Sequence, residues 1–154
     1  MPVIPPCTQE EYTGEYPRTL AIDRVDNGKL NNIVYGGITP HNITASLQEI
    51  IDDVSWEALK TKMIASSPSS RDFQEMTIDF YNEIVVVVFD SIRPTATGWS
   101  INIVALVEYE DRVVIDVSKV QPPPNSVGLS SDCQPYDIVR IPMCYEDRKP
   151  IVFE

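Results

Sequence analysis

The segment IVVVVFDSIRPTATGWSINI, residues 84 to 103, contains the strongest structural signal in the chain. Residues 84 to 89 are apolar at every position, which predicts a β-strand that is buried on both faces. Residues 99 to 103 alternate apolar and polar side chains, which predicts a strand with one buried face. A loop with a proline, two threonines and a glycine joins the two strands. The segment therefore predicts an antiparallel β core that presents a shaped loop.

Strand patterns recur on both sides of this segment. Asp26-Asn27-Gly28-Lys29 has the composition of a tight turn, so residues 19–25 and 30–35 are expected to form a hairpin. Further runs of strand type cover residues 76–80, 99–107, 113–117, 136–141 and 151–153. Short turns between such runs favour antiparallel pairing, and the total is about seven strands.

One segment has the pattern of a helix, near residues 55 to 65. Ser55 is placed to cap its start, and Trp56, Leu59, Met63 and Ile64 fall on one apolar stripe. Because this helix stands between two groups of strands, the fold class is α+β and not a parallel α/β fold. The prediction is a mainly antiparallel β-structure, a small sheet, sandwich or barrel, with this helix covering one face or one end.

Size and charge limit the organisation and the partners. The 154 residues fit one domain, which we assign to residues 18–154, preceded by an extended arm at residues 1–17 with four prolines. The net charge of −11 would repel nucleic acid and anionic membranes and would attract a partner with a basic surface. The longest apolar run is far shorter than the ~18 residues of a membrane helix, so we expect no membrane insertion. No signal-peptide pattern opens the sequence.

Residue types that support catalysis or metal binding are sparse. His41 is the single histidine, and Cys7, Cys133 and Cys144 are too far apart in sequence for a zinc site. The sequence therefore predicts no metal, no cofactor and no nucleophilic enzyme. Cys133 and Cys144 could form a disulfide in an oxidising compartment, although spacing does not show it. With 23 acidic residues, some carboxylates always lie close together, so an enzyme with a carboxylate site stays as an alternative.

The best candidate for function is the loop itself, as a surface that binds another protein. Trp99 is either a plug at the edge of the core or an exposed anchor for a partner. Tyr136 is expected to pack its ring while its hydroxyl reaches a backbone carbonyl. The candidate partner-binding residues are Arg93, Pro94, Thr95, Thr97, Gly98, Trp99, Pro135 and Tyr136.

Four segments in the same order resemble the PrcB C-terminal domain. They are residues 78–80, 83–89, 93–103 and 134–142, and the helix with Trp56 matches a Trp-x-x-Leu helix of that family. The likeness covers roughly residues 50 to 154. It implies a non-enzymatic subunit that stabilises or assembles a protease or envelope complex, in the periplasm or outside the cell. The oligomeric state is left open.

Residues 94 to 99, PTATGW, also resemble the Pro-Thr-Thr-Gly-Tyr loop of chagasin-type inhibitors of cysteine proteases. That likeness implies an alternative function, in which the loop at residues 93–99 inserts into the cleft of a protease and inhibits it.

Overall fold

The computed structural model describes residues 14–30, 45–66, 76–93, 98–123, 133–144 and 148–153. These residues form one helix, α1 (Asp53–Ser66), and eight strands. The strands are β1 (Arg18–Thr19), β2 (Asp23–Leu30), β3 (Ser46–Ile50), β4 (Glu83–Phe89), β5 (Ser100–Glu108), β6 (Val113–Val120), β7 (Gln134–Pro142) and β8 (Ile151–Phe153).

The strands form two four-stranded sheets that pack against each other. The β5 sheet has the order β1-β5-β6-β8, and the β4 sheet has the order β2-β7-β4-β3. Every pairing is antiparallel except that of β6 with β8. The α+β class and its antiparallel β character are thus confirmed. Of the three β forms that the sequence allowed, a small sheet, a sandwich or a barrel, the described strands form the sandwich and close no barrel.

Strand β4 lies at the centre of three layers, as its uniform apolar run predicts. Val85 and Val87 face the cluster that contains the helix, whereas Ile84, Val86 and Val88 face the cluster shared with the β5 sheet. All five are at most 1% exposed. Full burial of a side chain of this size contributes about 1.5–3 kcal/mol, so this strand is a large part of the stability.

The helix covers the outer face of the β4 sheet. Trp56, Leu59 and Met63 are buried against that sheet, which confirms the predicted stripe. The predicted cap at Ser55 is wrong, because the helix begins two residues earlier. The Asp52 carboxylate accepts a 2.8 Å hydrogen bond from the Ser55 backbone N–H and so caps the first turn.

The predicted hairpin at residues 26 to 29 is wrong, because β2 runs straight through those residues and pairs with β7. The side chains that suggested a turn make tertiary contacts instead. Asn27 donates to the Ile101 carbonyl over 2.8 Å, and Asp26 accepts from the Tyr136 hydroxyl over 2.5 Å. A Cβ at Gly28 would lie 3.2 Å from the Tyr136 hydroxyl oxygen, so the glycine makes room for that ring. The predicted return strand at residues 31–35 lies outside the described residues.

The strand expected at residues 76–80 needs correction. Residues 76–79 form no strand, and Asp79 begins a turn in which its carboxylate accepts from the Tyr81 N–H (3.1 Å) and the Asn82 amide (2.6 Å). Local hydrogen bonds of this kind compete with pairing in a sheet.

The open question of a Cys133–Cys144 disulfide can be answered. Cys133 is buried and forms no disulfide, so the pairing of Cys133 with Cys144 is not made. Of the predicted arm, residues 1–13 lie outside the described residues.

Candidate functional site

The loop at residues 93–99 begins at a position that is tied to two strands. Arg93 follows the end of β4, and its backbone N–H donates to the Cys133 carbonyl over 2.7 Å. The Cys133 N–H returns a 3.0 Å hydrogen bond to the Arg93 carbonyl. Because Cys133 immediately precedes β7, the first residue of the loop is fixed to both central strands of the β4 sheet.

A buried ion pair holds the Arg93 side chain at the same point. Asp90 is fully buried, and its two oxygens accept from Arg93 Nη2 at 2.9 Å and from Arg93 Nε at 3.2 Å. Its Oδ1 also accepts from the Ser91 N–H at 2.8 Å and lies 3.6 Å from Lys119 Nζ. A buried carboxylate needs such partners, since an unpaired one is very costly. The base of the loop is therefore built around Asp90.

The far end of the loop rests on the same arginine. The Arg93 guanidinium lies over the Trp99 ring, 4.2 Å from its centroid, which is a cation–π contact. Gly98 has a φ of +86°, and a Cβ there would lie 2.7 Å from Pro122 Cβ. Only glycine fits that backbone and that contact. Arg93 thus connects the two ends of the loop.

Among the described residues, the structure brings three of the predicted site residues together at the loop base. Arg93, Gly98 and Trp99 form the loop base, and Trp99 is partly buried, between the plug and the anchor that the sequence allowed. Pro94, Thr95 and Thr97 lie outside the described residues. Pro135 and Tyr136 are buried, so neither offers surface to a partner in this structure.

Tyr136 packs as expected, but its hydroxyl has another partner. Its ring is fully buried, with its centroid 6.2 Å from that of Phe89. The hydroxyl donates to the Asp26 carboxylate at 2.5 Å and not to a backbone carbonyl. The carboxylate on the neighbouring strand takes the place of the carbonyl because β2 pairs with β7 at this position. Tyr136 therefore supports the sheet behind the loop.

Sequence reasoning missed a polar seam between the two sheets, formed by Arg24, Asn27 and Asp137. Asp137 is fully buried and accepts from Arg24 Nε at 2.9 Å and Nη2 at 2.7 Å. That hydrogen bond raises the pKa of Arg24 above its ordinary value. Asp137 also accepts a 2.7 Å bond from the Ile103 N–H, while Arg24 Nη2 donates to the Ile103 carbonyl over 2.9 Å. The sequence of β7 contained a signal for this burial. Apolar residues occupy both alternate sets of positions along the strand, so both of its faces are predicted to be buried, and Asp137 with them.

An open cleft of about 650 Å³ lies between the sheets beside the loop base. Its walls come from the start of β3, the end of β4, the middle of β6 and Phe153. Lys119, which contacts Asp90, stands in the lining and joins the cleft to the loop base. The volume lies within the range of ligand-binding clefts, ~300–1,000 Å³.

The described residues include no cluster of three or more histidine, cysteine, aspartate or glutamate side chains that could hold a metal ion. Within the same residues, no helix has the length and apolar character that crossing a bilayer requires.

Comparison with protein-family models, with curated proteins and with solved structures finds no match to this chain.

Proposed function

We propose that this protein is a non-enzymatic module that binds another protein through the end of the sandwich at Arg93, Gly98 and Trp99. The observation that supports it best is the buried pair of Asp90 and Arg93, with the guanidinium stacked on Trp99. Tryptophan and arginine are the residues most enriched among the energetically dominant contacts of protein interfaces.

The value of this arrangement for binding is its rigidity. A loop that is already ordered at both ends loses less conformational entropy when a partner docks. Side chains held by a buried ion pair and a cation–π contact also keep one orientation before the partner arrives.

The resemblance to the PrcB C-terminal domain supports a partner that belongs to a protease or envelope complex, outside the cytoplasm. The net charge of −11 favours a partner with a basic surface. The protease or envelope partner and its basic surface are both part of the proposal.

The test is photo-crosslinking with an unnatural amino acid at position 95, carried out in extracts of cells that express the protein. We expect one dominant crosslinked partner, and Trp99→Ala should remove most of it. The matched control is Val54→Ala, since Val54 is an exposed apolar side chain on the helix, on the other face of the β4 sheet. Equal crosslinking by the wild type and Trp99→Ala would contradict the proposal.

Inhibition of a cysteine protease is a second candidate, because a loop braced at both ends also suits insertion into a cleft. Titration of a papain-like protease with the purified protein separates the two: blockade at nanomolar concentration assigns inhibition. The remaining alternative, an enzyme with a carboxylate site, gains little support from the buried carboxylates. Asp90, Glu108 and Asp137 are each paired with an arginine or lysine, which favours a structural role.

A further inference from the structure

Among the strands that the structure describes, β6 has a neighbour along its full length on one side only. On one side it pairs with β5 from Val113 to Val120. On the other side β8 pairs with residues 113–115 and ends opposite Ile115. Among the described residues, no strand continues along positions 116–120. The β5 sheet therefore has an edge five residues long, about 17 Å at the rise of a β-strand.

The backbone polar groups of this edge can be assigned from the ladder. The Val113 N–H donates to the Pro150 carbonyl over 2.9 Å, so residue 113 turns its backbone groups toward β8. Successive residues of a strand turn them to opposite sides, so Val117 and Lys119 do the same. Beyond the end of β8, these two residues direct their N–H and C=O groups toward the side on which the described residues place no strand.

The cleft of about 650 Å³ lies along this edge. Its lining includes Ile115 to Val117 and Lys119 of β6, Phe153 at the end of β8, and Ala45 to Leu47 of β3 on the opposite wall. Nearer the other end of β8, the Glu49 carboxylate accepts a hydrogen bond from the Ile151 backbone and connects β3 to β8. The flank of the sandwich is thus bridged beside Ile151 and open beside Val117.

On the opposite flank of the β5 sheet, side chains occupy the backbone groups of the edge. There the part of β5 beyond β1 has its Ile101 and Ile103 backbone groups bonded by the side chains of Arg24, Asn27 and Asp137. Closing an exposed edge with side chains is a common defence against pairing with other chains. The β6 edge instead has an open cleft beside it, with a mixed polar and apolar lining, which leaves room for an added strand.

We propose that the cleft beside β6 accepts an extended segment of a partner protein as an added strand of the β5 sheet. Its backbone would pair with Val117 and Lys119, and alternate apolar side chains would contact Leu47, Val117 and Phe153. The segment has a net positive charge, to complement the net charge of −11. This inference rests on the proposed function and extends the same interface, because Lys119 contacts Asp90, which holds Arg93.

The test selects peptides from a phage-displayed library of random sequences about a dozen residues long, with the full chain as the target. The diagnostic variant is Lys119→Pro, which removes one N–H of the edge and leaves the bonds to β5 in place, since proline is tolerated on the open side of a strand. The matched control is Lys119→Ala, which removes the same charged side chain and keeps the N–H. A thermal melt of each variant establishes that it is folded.

We expect the selected peptides to alternate apolar residues, to be basic, and to bind the wild type and Lys119→Ala within about threefold of each other. Lys119→Pro should weaken them by at least about tenfold. In the wild type, the peptide should slow hydrogen exchange at Val117 and Lys119, a readout that needs no substitution.

Three results would overturn the inference: no enriched peptide, equal binding to Lys119→Pro, or unchanged exchange at Val117 and Lys119. The variant Trp99→Ala separates this failure from failure of the proposed function. Peptides that lose affinity on Trp99→Ala but not on Lys119→Pro would support binding at the loop base and reject the added strand. Crosslinking at position 95 that does not depend on Trp99, together with peptides that depend on the Lys119 N–H, would support the added strand and reject binding at the loop base.

Discussion

A few buried carboxylates, each paired with a basic side chain, hold parts of this protein in fixed positions, which the net charge alone does not indicate. Asp90 and Asp137 are fully buried and Glu108 nearly so. Asp137 and Glu108 pair with arginines that are distant in sequence, and Asp90 pairs with the nearby Arg93 and with Lys119 on β6. Asp137 connects the two sheets, because it accepts hydrogen bonds from an arginine on β2 and from a backbone N–H on β5 at the same time. Such a residue fixes the relative position of two sheets, which hydrophobic contacts alone do not specify.

Replacement of Arg24 by alanine tests this role. It leaves the fully buried Asp137 carboxylate without its cation. Because Arg24 itself is 44% exposed, we expect the free energy of unfolding to fall by about 1.5–3 kcal/mol. The measurement is urea denaturation followed by circular dichroism. The matched control is Arg112→Ala, because Arg112 pairs with the exposed Asp111 at 3.0 Å and an exposed pair contributes about 0–1 kcal/mol. Equal losses for the two variants would show that burial of Asp137 does not matter.

At the scale of elements, local patterns gave reliable predictions where the residues act through burial. The valine run predicted β4 and its two buried faces, and the stripe of Trp56, Leu59 and Met63 predicted the packed face of α1. The pattern failed at Asn27-Gly28, because turn residues were used for contacts with Tyr136 and Ile101 across the sandwich. Those contacts depend on residues more than 70 positions away, which no local pattern contains.

The buried position of β4 leads to a prediction for Val86→Asp. Val86 is 0% exposed between the two sheets, and an unpaired carboxylate there costs at least about 5 kcal/mol, which equals the whole stability of a marginal domain. Circular dichroism should show a chain without native β structure. The control is Val104→Asp, on the outer face of β5 at 55% exposure, which should stay folded. A native-like spectrum and a cooperative melt for Val86→Asp would refute the three-layer arrangement.

The start of α1 leads to a prediction about pH. The hydrogen bonds from Ser55 lower the pKa of Asp52 below its ordinary value of 3.8. A carboxyl with a lowered folded-state pKa contributes stability above its unfolded pKa and loses it as the pH falls through the folded pKa. Asp52→Ala should therefore lower the melting temperature at pH 7 and have little effect near pH 2.

The comparison for this prediction is Asp52→Asn, because asparagine caps a helix without a titrating group. It should keep most of the stability at pH 7 and lose the part of the acid dependence that comes from Asp52. A difference between wild type and Asp52→Ala that stays constant from pH 7 to pH 2 would reject a role for the ionised carboxylate.

At the scale of the whole molecule, the excess of acidic residues acts as one field. With 23 acidic and 12 basic residues, mutual repulsion opposes the folded state at low ionic strength. The composition predicted this field, but it could not predict the order of the strands. That order depends on the pairing of β2 with β7 and of β6 with β8, and both pairings connect distant parts of the chain.

Salt should therefore stabilise the protein. We expect the melting temperature to rise as sodium chloride increases from about 10 mM to about 200 mM, since the screening length falls from about 30 Å to below 10 Å. Potassium chloride at equal ionic strength is the control and should give the same rise. A melting temperature that falls over this range would mean that attractive ion pairs outweigh the repulsion of the excess acidic residues.

The pairing of β2 with β7 also has a consequence for biosynthesis. Residues 23–30 lie at the edge of a sheet whose next strand is not translated until residues 134–142. Until residues 134–142 have been synthesised on the ribosome, the β2 segment therefore lacks the neighbour that it pairs with in the native sheet. Completion of the native sandwich thus waits for β7 and β8, the last strands along this sequence.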